Sequence, residues 1–176
     1  MTPTPILAGL MLIAAVQPPA PVADPLAPAR TGQVQCFMPD AAKKTCRTLA
    51  QYVFAPDGSI QNPAQEMISD NPVIIMRGSS PVVVKGDTVC ATFDARTIEE
   101  ATFMVNGQLA TLEVSSQIRM QLLMASRDRI GKEICTSYVQ NGNQFVEQVK
   151  IDGVAHPELS DKMIWVKPTD GYHVGP

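Results

Sequence analysis

Turn chemistry recurs along this chain at intervals too short for a helical protein. Asp57-Gly58, Gly78-Ser79-Ser80-Pro81, Lys85-Gly86-Asp87, Asn106-Gly107, Asn141-Gly142, Asp152-Gly153 and Asp170-Gly171 punctuate it. Asn-Gly and Asp-Gly readily supply the positive φ angles that tight hairpins need. The segments between them, such as 73–76, 82–85, 89–93 and 145–151, are short and rich in Val, Ile, Thr and Phe, as strands are. An antiparallel sheet built from hairpins follows.

Two stretches depart from this pattern. Asp94 is placed to cap a short helix over residues 95–101. Residues 113–129 have helix-forming composition, with Gly131 as the stop; both readings rest on cap preferences. A helical turn is expected over 41–44, ahead of a strand at 52–54 that enters the Pro56-Asp57-Gly58 turn. The expected fold class is therefore α+β, mainly an antiparallel sheet, with one longer helix (113–129) and one short helix (95–101).

Four cysteines, Cys36, Cys46, Cys90 and Cys135, lie downstream of an apolar run over residues 6–16. The run has the length of a signal-peptide core and falls short of the roughly 20 residues that span a bilayer, so no transmembrane anchor is expected. No Lys or Arg precedes it. Residues 1–29 read as a signal peptide and a Pro/Ala-rich lead-in, with cleavage open between the Ala20-Pro21 region and a small-x-small site at Ala27-Pro28-Ala29. No small apolar residues precede Cys36 as a lipidation site would require. Residues 30–176 then form a single disulfide-stabilised domain of ordinary size.

Four cysteines allow three pairings. The reading adopted joins Cys36 with Cys46 across a short loop, and Cys90 with Cys135, tying a central strand to the one after the long helix. No Cys-x-x-Cys occurs, so zinc and dithiol redox readings give way to structural disulfides in an oxidising compartment, periplasmic or extracellular. A net charge of -3 and a pI near 5.3 leave no basic patch for nucleic acid.

Four pieces of sequence carry a resemblance: Cys-Arg-Thr-Leu-Ala-Gln-Tyr from Cys46, Gly-Lys-Glu-Ile-Cys-Thr-Ser-Tyr from Gly131, Ile-Asp-Gly-Val from Ile151 and Trp-Val-Lys-Pro-Thr-Asp-Gly-Tyr from Trp165. Together they resemble a group of small exported bacterial proteins without an assigned function. The resemblance implies a cell-envelope location and carries over no activity and no site.

Chemistry-bearing residues are few. His156 and His173 are the two histidines, and Asp170 is placed to orient His173, but no Gly-x-Ser-x-Gly nucleophile elbow accompanies them. Ser69-Asp70-Asn71 matches one β-lactamase motif without its Ser-x-x-Lys or Lys-Thr-Gly companions. On the helix at 113–129, Ile118, Leu122 and Ala125 fall on one side and Met120, Leu123 and Met124 roughly opposite. A helix between two layers explains this best, with a protein partner through Met120, Leu123 and Met124 as the alternative. Met120 and Met124 also have the spacing of a Cu(I) pair, although core filling is the commoner use. Trp165, Tyr172 and His173 flank the Pro168-Thr-Asp-Gly171 turn, where aromatic faces can meet a sugar or peptide; Trp165 itself is expected in the core.

No catalytic residue, cofactor site or metal ligand is assigned. The function expected is a non-enzymatic binding or structural module of the cell envelope. The alternatives are a small exported hydrolase using His173 or His156, and a partner-dependent or homo-oligomeric subunit using the helix.

Overall fold

Alternating apolar and polar residues with Gly-containing turns make hairpins, and here the hairpins close on themselves. The computed structural model describes residues 24–176; the apolar run at 6–16 lies outside them, whereas residues 24–29 of the expected lead-in are ordered against the barrel. The chain enters through a one-turn helix α1 (Ala27–Arg30), then strands β1 (Val34–Phe37), β2 (Thr45–Cys46), β3 (Thr48–Ala50) and β4 (Val53–Phe54). A long hairpin follows, β5 (Ile60–Asp70) and β6 (Val73–Lys85), then β7 (Thr88–Thr92), helix α2 (Ala95–Glu99), β8 (Thr102–Val105), β9 (Gln108–Leu109) and helix α3 (Leu112–Ser126). The chain ends with β10 (Glu133–Asn141), β11 (Gln144–Ile151), β12 (Val154–Ala155), β13 (Lys162–Val166) and β14 (His173–Val174), with 3-10 turns at Pro157–Leu159 and Pro168–Asp170.

Following neighbours around the sheet gives β5, β3, β1, β13, β11, β10, β7 and β6, and β6 pairs back to β5. Every one of these pairings is antiparallel. The ring is a closed eight-stranded barrel, in which every strand has a paired neighbour on each side for at least part of its length. β4, β8, β9 and β12 are extensions at its margins.

This closure corrects the expected α+β class. Helices do occur near both expected positions, but neither forms a layer opposite an open sheet. α3 packs Ile118 and Leu122 onto Ala101 and Phe103 where the inner face of β5–β6 continues past the barrel, while Met120 and Met124 are 59% and 67% exposed. The expectation of a helix buried between two layers fails with it. Residues 41–44 form a turn, in which the Asp40 carboxylate accepts from the Ala42 and Lys43 N–H groups, so no helix begins there.

The Gly78-Ser79-Ser80-Pro81 run also behaves differently from expectation, lying inside the 13-residue strand β6. β8 pairs with β6 over residues 74–77 and β7 over 83–85. Between them one edge of β6 is free of strand partners, so the missing N–H of Pro81 breaks no ladder on that side. Gly78 serves a close approach: a Cβ there would meet the Thr97 carbonyl oxygen of α2 at 3.4 Å.

Both disulfides pair as expected. Cys36–Cys46 spans 5.4 Å between Cα atoms and holds the β2 turn to β1, and Cys90–Cys135 joins directly opposed residues of β7 and β10. The first is covered by Val166, Leu49 and Tyr172 on the barrel's outer side. Leu26, which precedes α1, and Ala29 within it pack against Val82, Val89, Tyr52, Tyr138 and Trp165, which plugs one end of the barrel. Cleavage at Ala27-Pro28-Ala29 would remove Leu26, a fully buried side chain, so that choice of processing site conflicts with the fold.

Candidate functional site

Side chains alternate in and out along a strand, and the register fixes which ones share the lumen. Gln35 lies opposite Ala50 on β3 and Trp165 on β13, Ala50 opposite Ala64, and Ala64 opposite Gly78. Across the ring, Tyr138 lies opposite Glu147. Tyr52, just beyond β3, reaches the same layer through a hydrogen bond to Gln35. Small residues on β3, β5 and β7 leave a cavity of about 250 Å³, lined by Gln35, Tyr52, Ala64, Ala91, Tyr138 and Glu147 among others.

The layer is polar and incompletely paired. Tyr52 Oη donates to Gln35 Oε1 at 3.0 Å, and the Tyr52 and Tyr138 hydroxyls lie 3.4 Å apart. Gln35 is only 1% exposed, yet its Nε2 makes no hydrogen bond of normal geometry, its amide coming no nearer than a weak contact with the Tyr138 hydroxyl. A buried amide without a partner is costly, and such groups call for an explanation. Burial pushes both phenol pKa values up, so the tyrosines stay neutral donors.

Glu147 is the charged member of the layer. Burial, and then the negative charge of Asp161, raise its pKa from the ordinary 4.5 to about 7, against a lowering hydrogen bond from the Asp161 backbone. Among the described residues it enters no ion pair. Glu66, also on the lumenal face, is raised by burial, with Arg47 and Arg129 opposing the rise and Asp161 adding to it.

The residues singled out from sequence lie elsewhere. His156 Nδ1 pairs with Glu158 Oε1 at 2.7 Å on the outer surface, and His173 is exposed on β14. Neither lines the lumen, and neither hydrogen-bonds a serine or threonine hydroxyl among the described residues. Ser69-Asp70-Asn71 forms the tip of the β5–β6 hairpin. Of the proposed partner residues, Met120 and Met124 face solvent while Leu123 is half-buried. Trp165 packs toward the α1 plug, and Tyr172 covers the Cys36–Cys46 bridge. Sulfur and carboxylate atoms of Cys90, Glu133 and Cys135 lie within 4.8 Å of one another, but the sulfurs are joined and Glu133 is paired with Lys85.

Sequence reasoning passed over Gln35 and Glu147, and used Tyr52 and Tyr138 only as parts of a resemblance. A signal was present, since the runs beginning at Cys46 and Gly131 each end on one of these tyrosines. No helix among the described residues is long and apolar enough to cross a membrane. No family model, curated protein or solved structure matches the chain.

Proposed function

We propose that this protein is an exported binding protein that holds a small polar molecule in the lumen of its barrel. The observation that carries the reading is Gln35, whose buried Nε2 lacks an acceptor while its side chain lines a cavity. A pocket of this kind, largely apolar with a few convergent polar groups, is the usual form of a small-molecule site. Two disulfides, the apolar run at residues 6–16 and the resemblance to exported bacterial proteins support a periplasmic or secreted setting.

A membrane-spanning barrel is the other way to use a closed sheet. Its strands need about 9–11 residues and an apolar outer band. Here β1, β3, β7 and β13 have four, three, five and five residues. The outer positions include exposed Arg77, Lys85, Gln148, Lys150 and Lys162. The hydrolase alternative finds no support at either histidine.

The test is a titration of isotope-labelled protein with four small probes: 2-aminoethanol, acetamide, glycerol and acetate. For a ligand of four heavy atoms the best attainable Kd is about 40 μM, so titration runs well into the millimolar range. Saturable movement of the Gln35 side-chain amide resonances by at least one probe, lost in Ala64→Leu, is expected. Four probes without effect on that amide would overturn the reading.

A further inference from the structure

The cavity presents the Glu147 carboxyl, which has no counter-charge among the described residues, an unpaired amide donor and two phenols, and no cationic side chain lines it; Glu66, on the same face, already has Arg47 and Arg129 near it. An anionic ligand would meet Glu147 and, beyond it, Asp161 with like charge. A metal ion is a poor match, because the carboxylate oxygens of Glu66, Glu147 and Asp161 do not all lie within 4.8 Å of one another. What the layer lacks is a positive charge that also brings an acceptor oxygen. An ammonium group satisfies a carboxylate that lacks a counter-charge through charge-assisted hydrogen bonds, and tyrosine rings favour cations that reach their faces.

We propose that the lumen ligand is a small protonated amine, its ammonium held by the Glu147 carboxylate and an oxygen of the same molecule accepting from Gln35 Nε2. This rests on the lumen being a binding site, as argued above, and specifies the class of molecule that enters it. Tyr52 positions Gln35 by occupying Oε1, which leaves Nε2 as the free end of the amide.

The assignment implies a pH dependence. The groups facing Glu147 are Tyr138 from β10, Tyr52 across the lumen and Asp161 ahead of β13. The Pro157–Leu159 turn packed on β11 brings Glu158, already paired with His156, while Lys150 and Lys162 point outward. Only ionised Glu147 can hold the ammonium, so binding releases a proton below pH 7, and affinity rises with pH and then levels.

The experiment titrates 2-aminoethanol hydrochloride into the full exported chain at pH 5.5 and pH 8, with acetamide as the neutral comparison. With half-ionisation near pH 7, affinity for 2-aminoethanol should increase by about 30-fold between these values. Acetamide should show no such change. Glu147→Gln should abolish the increase, with dispersion of its amide spectrum confirming that the variant is folded; the pH series on the unaltered protein stands even where it is not. Binding of 2-aminoethanol that is unchanged between the two pH values, or binding of acetamide or glycerol alone, would overturn the cation assignment and leave the lumen reading in place. No binding by any probe would overturn both.

Discussion

Replacing Glu147 with glutamine should change how the stability of this protein depends on pH. The carboxyl titrates at 4.5 in an unfolded chain and at about 7 in the fold, chiefly because burial disfavours its charge. A carboxyl raised in this way leaves the fold at full strength below about pH 4.5, where it is protonated in both states, and weakens it progressively as pH rises through about 7. Each tenfold difference in proton affinity corresponds to about 1.4 kcal/mol, so the whole effect is about 3 kcal/mol, trimmed toward 2 by solvent at a half-buried site. Glutamine cannot ionise. Urea unfolding of both proteins without ligand, at intervals from pH 4 to pH 8, should show the Glu147→Gln variant gaining about 2–3 kcal/mol relative to the parent, nearly all of it between pH 4.5 and 7.5. In thermal melts of a domain this size the same difference is about 4–12 °C. Glu66 and the surface carboxylates titrate in both proteins and cancel in the comparison. Parallel curves, separated by a constant amount across that range, would refute the argument that Glu147 is desolvated and without a counter-charge.

Other consequences can be checked singly. Losing the Cys90–Cys135 bridge through paired alanine substitutions should destabilise by about 4 kcal/mol and losing Cys36–Cys46 by about 3 kcal/mol, on the loop-entropy argument for separations of 45 and 10 residues; urea midpoints test the ranking. Leu26→Ala should cost about 2–5 kcal/mol in the same assay, since the side chain is fully buried in the plug, and under the proposed export, intact-mass measurement of the processed chain should place its N-terminus ahead of Leu26. Gln35→Met should be neutral or stabilising by about 1–2 kcal/mol, because it removes an unpaired buried N–H at the expense of one hydrogen bond from Tyr52; marked destabilisation would make Gln35 a structural residue. Met124→Gln should change stability by less than about 0.5 kcal/mol and leave the light-scattering mass unaltered, as befits an exposed position.

Local features of the fold were legible in the residues themselves. Asn106-Gly107, Asn141-Gly142 and Asp152-Gly153 do sit at the turns between β8 and β9, β10 and β11, and β11 and β12, because positive φ is a local demand that local residue types reveal. The disulfide pairing was accessible for a related reason: Cys36 and Cys46 are close in sequence, and Cys90 and Cys135 each sit in a β-rich segment. Closure of the barrel was not legible. It depends on β6 pairing with β5, β7 and β8 along different parts of its length, and the Gly78–Pro81 run that disguises this strand as two falls where one edge of β6 has no strand partner. The lumen residues were hidden by the same circumstance. Gln35 between Val34 and Cys36 reads as an ordinary polar position until the register shows that its side of β1 faces inward.

That inward polar layer bears on why the chain is built with staples and plugs. An eight-stranded barrel has an interior that side chains can just fill, and a filled apolar lumen would be the simplest source of stability. Here Ala50, Ala64 and Ala91 leave the middle open, and Gln35, Tyr52, Tyr138 and Glu147 make it polar. Apolar burial is displaced to the ends and the outside: to Leu26 and Ala29 against Val82 and Val89, to Phe103 under Ile118, and to the Cys36–Cys46 bridge under Val166 and Tyr172. Disulfide bonds add to stability without occupying the lumen. A barrel serving only as a scaffold has no use for an unpaired amide that lines the same cavity as a carboxyl whose ionisation weakens the fold near neutral pH. Such a layer makes physical sense where a bound molecule supplies the missing charge and acceptor, so stability given up by the empty protein is recovered on binding.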